Sequence, residues 1–411
     1  MLSWEYPPKI VGGIARHVEE LSWALAKLPG MEVHVITCEF PGAPEEEVFN
    51  NVHIHRVAAY DAPGGHKDFI HWVHQLNAAM RDRAYALISG WLAGKKVEKD
   101  AKKLKEKDAI LLHAHDWLAY FAGAQLKHRF KIPLIATVHA TEFGRNNGIH
   151  SEISRYINAI EVDLVTEAWR VIVCSQFMKG EVEYALRSPT DKLDVIYNGI
   201  NAEKFGFEFP PQEAEAFRSQ FALPNEKIIM FVGRGVREKG CQVLIDALPK
   251  IRAGYHDAKL VVAGGGYRQH LVEQAHALGV DRWVCFTGFI PDDALLRLYK
   301  VADVACFPSL YEPFGIVALE AMAAHTPVVV SDAGGLPEVV EPDVTGTLTW
   351  ANSSDSLTWG VLRVLRDPEL ARRMADAAAK RVADVFNWDV IAGQTNETYR
   401  RVFKEYVASS W

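Results

Sequence analysis

Ile228-Ile229-Met230-Phe231-Val232 runs without a break into Gly233-Arg234-Gly235-Val236-Arg237-Glu238-Lys239-Gly240. An unbroken apolar run rich in β-branched residues is the pattern of a strand buried on both faces. Arg234 and Lys239 then project from the carboxyl end of that strand. Two cations in that position suit a diphosphate without a metal ion. A charged loop with an adjacent Glu238-Lys239 pair is the alternative reading of the same residues.

The same short apolar run recurs downstream at Leu260–Ala263, Val284–Phe286, Val304–Phe307 and Pro327–Val330, with helical segments between. Upstream it recurs at Val33–Thr37, Ala109–Leu112, Leu134–Val138 and Val171–Cys174. Val52–Val57 alternates in polarity and reads as a half-exposed strand. Ile14, Val18, Leu21, Leu25 and Leu28 are spaced by four and three, which puts one apolar stripe on a helix. Repeated strand-helix alternation predicts parallel sheets covered on both faces. The turn-rich Asn198-Gly199-Ile200-Asn201 and Phe207-Glu208-Phe209-Pro210-Pro211 form the linker candidate, and an acidic helix-like run follows from Glu213 to Phe221. The expected fold is therefore α/β, with two doubly wound Rossmann-like domains. Ligands of such folds bind at strand carboxyl ends, so the expected site lies in a central cleft that both domains face.

Composition narrows the class. Of 411 residues, 49% are hydrophobic and 24% charged, the balance of a folded globular chain. No apolar run is long enough to span a membrane. The formal net charge of −7 is the wrong sign for a nucleic-acid binder. The N-terminus, Met1-Leu2-Ser3-Trp4-Glu5-Tyr6-Pro7-Pro8, lacks the basic start and apolar stretch of a secretory signal. Cys38, Cys174, Cys241, Cys285 and Cys306 are odd in number and have no metal or redox spacing, so buried free thiols in a reducing, cytoplasmic setting are expected. The run Lys95 to Asp108 holds seven lysines and four acids, and Val97, Ala101 and Leu104 at helical spacing predict a solvated helix.

Residues 307–323 carry most of the remaining chemistry. A strand ends, a Pro-flanked loop presents Glu312, and Gly315 opens a helix at Ile316-Val317. Free amides and the positive dipole end there suit an anionic phosphate. Glu320 follows on the same helix. The bland reading is a helix start with one stray acid and one surface Glu. Gly12-Gly13 allow close backbone approach before the Ile14 helix. His113-Ala114-His115-Asp116-Trp117 and His139 end two strands. No second histidine pair or carboxylate cluster accompanies H-x-H-D, so no metal is expected, and His115 and Asp116 read as polar lining of the cleft or as satisfied strand-end groups. Gly264-Gly265-Gly266 fails the dinucleotide fingerprint because Gln269 stands where glycine or alanine is needed. No nucleophile elbow and no P-loop are present. Trp4, Trp91, Trp117, Trp350 and Trp359 read as core residues before sugar-stacking ones.

Together these motifs resemble the GT-B retaining glycosyltransferases of the family 4-like group, which includes archaeal-type glycogen synthases and sucrose-phosphate synthases. Glu312-Pro313-Phe314-Gly315 through Glu320 resembles the family's paired-glutamate signature. Gly233-Arg234 with Glu238-Lys239-Gly240, Gly12-Gly13 and Asn198-Gly199-Ile200 resemble its other landmarks, so the likeness covers nearly the whole chain. The resemblance implies an acceptor domain over 1–205, a nucleotide-sugar donor domain over 206–386, and a helix over 387–411 that crosses back to the first domain. It implies that Arg234 and Lys239 neutralise the departing diphosphate, with help from amides near Gly315, Ile316 and Val317. It assigns Glu320 to the ribose hydroxyls, Glu312 to the transferred sugar, and His139 to its 6-hydroxyl. It places Gly13 against the donor, and Gly12 and Asp116 against the acceptor. No metal or other cofactor is implied.

The implied reaction moves a hexosyl group, in the first instance glucose, from a UDP-, ADP- or GDP-sugar to a saccharide. His113–Trp117, Thr137–Arg145 and Phe386-Asn387-Trp388 are similar to segments of glycogen and starch synthases, which favours an α-1,4-glucan acceptor. A small or lipid-linked acceptor, a non-catalytic nucleotide-sugar-binding protein and a sugar-nucleotide epimerase are the alternatives. The chain departs from the family pattern at four places. Ile10 stands where ADP-glucose users carry Lys, with Lys9 shifted by one. His325 replaces a usual glycine, and Gly235 a usual leucine. Few residues precede Leu2, so either the first strand is short or the start is trimmed.

Overall fold

A computed structural model describes residues 1–61, 65, 67–95 and 108–411. The helix expected within Lys95 to Asp108 lies outside the described residues, apart from its two ends. These form an ion pair, Lys95 Nζ to Asp108 Oδ1, at 2.6 Å. The chain divides into two compact units, Met1–Gly199 with Trp388–Trp411, and Ile200–Asn387.

The first unit contains β1 (Val33–Cys38), β2 (Glu46–Phe49), β3 (Val52–Val57), β4 (Leu112–His115), β5 (Leu134–Val138), β6 (Arg170–Val173) and β7 (Leu193–Val195). Its helices are α1 (Gly13–Ala26), α2 (Phe69–Gly94), α3 (Tyr120–Phe130), α4 (Glu142–Arg145), α5 (Glu152–Glu167) and α6 (Gln176–Ala185). The strands are ordered β2-β3-β1 and β4-β5-β6-β7. Leu2 bridges these two runs, pairing in parallel with Ile36 of β1 and Ala114 of β4. Among the described strands of this unit only β2 and β3 pair antiparallel.

The strand expected over Ala109–Leu112 starts instead at Leu112, because its parallel register begins at the Leu112–Leu134 pair. Ala109, Ile110 and Leu111 line a cavity of about 730 Å³ with Met1, Leu25 and Val33. β3 is more buried than its alternation predicts. It is sandwiched between β1 and β2, and buried Arg56 donates to Pro7 O, Pro44 O and Glu47. The stripe on α1 buries Val18, Leu21 and Leu25, while Leu28 falls just beyond the helix end.

The second unit contains β8 (Lys227–Val232), β9 (Ala258–Ala263), β10 (Val284–Gly288), β11 (Val304–Phe307), β12 (Val328–Ser331) and β13 (Thr347–Thr349). Its helices are α7 (Pro211–Arg218), α8 (Cys241–Gly254), α9 (Gln269–Ala277), α10 (Asp292–Val301), α11 (Ile316–Ala323), α12 (Leu336–Val339), α13 (Ser354–Arg366) and α14 (Pro368–Val385). The sheet is parallel throughout, ordered β10-β9-β8-β11-β12-β13. The order reverses direction between β8 and β11, which makes their carboxyl ends the topological switch point. Ile229, Leu244, Leu248, Leu260 and Val304 are fully enclosed at its core.

The break between units falls after Gly199 rather than after residue 205. Phe205 explains the difference: it is buried, and its ring meets that of Tyr299 in α10, so the turn Ala202–Phe205 belongs to the second core. The last helix, α15 (Trp388–Ala408), belongs to the first unit and packs on α1. All five cysteines are free thiols, four of them buried and Cys285 half-buried. Among the described residues no helix is long and apolar enough to cross a membrane.

Candidate active site

The switch point of the second unit draws two loops together. After β8, the turn Arg237–Lys239 ends at Gly240, whose φ is +73°. A Cβ at Gly240 would lie 1.8 Å from the Pro308 carbonyl oxygen, so only glycine lets the β8 loop reach the β11 loop this closely. Leu310 N–H then donates to Glu238 O at 2.7 Å. This docking delivers Lys239 Nζ to Glu312 Oε2 at 2.8 Å, and Ser309 Oγ donates to the same oxygen at 3.2 Å. Glu312 is 7% exposed. Its backbone is fixed from the other side, where Gly335 N–H donates to Glu312 O at 2.8 Å. Arg234 is more open, and pairs with Glu238 at 3.1 Å.

Gly315 adopts φ +112° and starts α11. The first bond back to Gly315 O comes from Ala318 N–H, which leaves the amides of Ile316 and Val317 ahead of the intrahelical ladder. Those two donors and the positive helix end lie beside the Glu312 loop. Glu320, one turn on, is not a plain surface acid. It is half-buried, and fully buried Tyr299 donates to its Oε2 at 2.7 Å. Burial, then the neighbouring Glu320 charge, holds the Tyr299 phenol well above its ordinary range.

In the first unit the strand ends of β4 and β5 bring Asp116 and His139 together. Asp116 Oδ1 accepts the His139 backbone N–H at 2.8 Å. Asp116 has φ 59° and ψ 173°, a region that L residues avoid at a cost of about 1–3 kcal/mol. Burial pushes its carboxyl up to about 6, against the pull of Arg145, whose Nη2 is 3.7 Å from Oδ2. Burial also pushes the His139 imidazole down to about 3. His139 Nε2 faces His115 Nδ1 at 3.2 Å.

The sequence motifs do not reveal three neighbours. Glu5 Oε2 accepts the amides of Val11 at 2.6 Å and Gly12 at 3.0 Å, so Gly12 is already bonded where α1 begins at Gly13. His17, on α1, packs its ring 4.6 Å from that of His139 and pairs its Nδ1 with Asn198 at 2.8 Å. Its facing nitrogen, with those of His115 and His139, falls inside a 4.8 Å cluster of the size that holds one divalent ion. Glu161 accepts the Glu142 amide, and burial pushes its carboxyl up to about 8. Only chain folding joins these residues. W-E-Y-P-P at the chain start is the one local signal that marks Glu5. The cavity of about 730 Å³ lies at the opposite, amino ends of β1 and β4, away from Asp116.

Two doubly wound units, one with a Lys–Glu pair and a bare helix start at its switch point, have the build of a GT-B glycosyltransferase. Family models agree: Glycosyltransferase Family 4 matches residues 11–204, and Glycosyl transferases group 1 matches residues 213–381. The chain belongs to this family 4-like group of glycosyltransferases. It is 40% identical over 402 residues to an uncharacterized glycosyltransferase of Methanocaldococcus jannaschii, with 97% of each chain covered. It is 36% identical to a glycogen synthase of Mycobacterium tuberculosis, covering 97% of this chain and 93% of the other. Sucrose-phosphate synthase of Thermosynechococcus elongatus superposes with a TM-score of 0.77 at 26% identity, over 96% of this chain and 94% of that one.

Proposed function

We propose that this glycosyltransferase moves a glucosyl group, with retention, from a nucleotide diphosphate sugar to a saccharide acceptor of the α-1,4-glucan kind. The Lys239–Glu312 contact beside the amides of Ile316 and Val317 carries the reading. Departure of a nucleoside diphosphate builds negative charge, and fixed cations and dipoles at that point lower the barrier. Lys239 and Arg234 supply the cations, and the α11 start supplies the dipole. Glu312, set against Lys239, faces the transferred sugar and its developing positive carbon. Glu320, oriented by Tyr299, takes the ribose hydroxyls. A neutral His139 serves as partner for the sugar's 6-hydroxyl, and Gly13 is assigned to the donor. Asp116 and the Gly12 segment are assigned to acceptor hydroxyls. The 36% identity to a glycogen synthase supports the glucan acceptor.

The test is a screen of UDP-, ADP- and GDP-glucose for donor hydrolysis, followed by maltodextrins against small acceptors. Elongated maltodextrin from one donor is the expected product. Folded protein that turns over none of the three donors overturns the reading.

A further inference from the structure

His17 on α1, His115 at the end of β4 and His139 just after β5 meet at the strand ends of the first unit. His17 Nδ1 lies 2.8 Å from Asn198 Oδ1. An amide oxygen only accepts, so Nδ1 carries the proton and Nε2 the lone pair. That Nε2 is buried and, among the described residues, has no hydrogen-bond partner. His115 Nδ1 and His139 Nε2 face each other at 3.2 Å, with one proton between them. The outer nitrogen of His115, Nε2, is also buried without a partner. Burial holds all three imidazoles below their ordinary range, so each is neutral near pH 7. His17 and His115 are buried, whereas His139 is half-buried, so solvent reaches the trio from its side.

We propose that this trio is a zinc site, and that the bound ion inhibits transfer. One nitrogen of each residue lies within 4.8 Å of the others. Two imidazole nitrogens, each about 2.0–2.1 Å from a tetrahedral zinc ion, stand about 3.3 Å apart. The 3.2 Å between His115 and His139 matches that edge. An ion there takes the place of the proton between the rings, which moves to the outer nitrogen of its own ring. The same ion gives the lone pair of His17 a partner, and Asn198 orients that ring from behind. The trio offers nitrogen alone, which disfavours magnesium and calcium, whose ligands are oxygen. Zinc accepts three imidazoles and a water in the fourth position. Zinc on His139 occupies the imidazole assigned to the sugar's 6-hydroxyl, so the loaded site excludes the donor sugar. The inhibition rests on the transferase reading, and the binding does not.

The experiment titrates zinc chloride into chelator-treated protein by calorimetry, in phosphate-free buffer, and measures donor turnover at buffered free zinc. Turnover of the wild type should fall as zinc binds and return with EDTA. Asn198→Ala should weaken zinc binding about tenfold, the cost of losing an orienting outer partner. His17→Gln should weaken it further. In each variant the free zinc that halves the rate should rise by the same factor as Kd. His115→Gln removes a second ligand and serves where His17→Gln fails to fold by circular dichroism. His34→Gln is the control, because Glu32, His34 and His53 form a second cluster of the same size nearer the surface. Zinc binding that survives both His17→Gln and His115→Gln, or is lost only in His34→Gln, overturns the proposal. So does full zinc occupancy with an unchanged rate. If no donor is turned over at all, the transferase reading fails, while zinc binding that depends on His17 still upholds the metal site.

Discussion

Lys239 and Glu312 lie 73 residues apart in the chain and meet at 2.8 Å, where the loops after β8 and β11 converge. Either partner alone would be costly: a carboxylate as enclosed as Glu312 needs its cation and its Ser309 hydroxyl. Lys239→Ala and Glu312→Ala should each lower glycosyl transfer by orders of magnitude. Lys239→Ala should also cost about 1–3 kcal/mol of stability by leaving a charge underpaired. Steady-state rates and thermal melting of the two variants check this. Wild-type turnover in both would remove the pair from the mechanism.

Gly240 is the hinge pin of that convergence. Gly240→Ala forces a methyl group to within 1.8 Å of Pro308 O at a left-handed φ. The loops must separate, so Lys239 loses its register with Glu312. The expected outcome is a lower melting temperature together with a fall in kcat, measured beside a Gly265→Ala control, whose Cβ meets nothing within 4 Å.

Tyr299→Phe deletes the phenol that donates to Glu320 and little else, since the ring stays buried. If Glu320 holds ribose, nucleotide binding should weaken several-fold with kcat nearly kept, by loss of one orienting hydrogen bond. Isothermal titration with the preferred nucleoside diphosphate reads this directly. Unchanged affinity would show that Glu320 holds no nucleotide.

Asp116 predicts a pH signature. Its carboxyl is raised to about 6 in the fold, so the native state binds the proton more tightly than the unfolded chain. That contribution is fully present below the unfolded pKa near 4 and is lost as pH rises through 6. Asp116→Asn keeps an acceptor for the His139 amide and removes the charge. It should therefore be more stable than wild type above pH 6, by about 1–3 kcal/mol, and converge with it near pH 4. Melting curves across that range decide it, and a constant gap would refute the titration.

Most of the fold is legible because strands announce themselves locally. Ile228–Val232 and Val304–Phe307 are unbroken apolar runs, and the charged or glycine residues that follow each one must sit at a strand end. That alone brings Arg234, Lys239, Glu312 and Gly315 into one list. The pairings escape the sequence because they depend on which strands become neighbours. Nothing near Glu320 points to Tyr299, and nothing near His139 points to His17. Glu5 is harder still, since a carboxylate in a Pro-rich start looks solvated until α1 folds over it. Ala109–Leu111 misled for the opposite reason: they are apolar enough for a strand but lack a partner in register.

The sheet of the first unit is stitched across its middle by very little chain. Leu2 N–H bonds His113 O at 2.7 Å, His115 N–H bonds Leu2 O at 3.0 Å, and Ile36 N–H bonds Met1 O at 2.9 Å. Gly12 and His17 hang from one side of this seam, Asp116 and His139 from the other. Freeing Met1–Ser3 would therefore remove the whole backbone ladder that joins the two half-sheets, leaving side-chain packing such as His17 on His139 to hold them together.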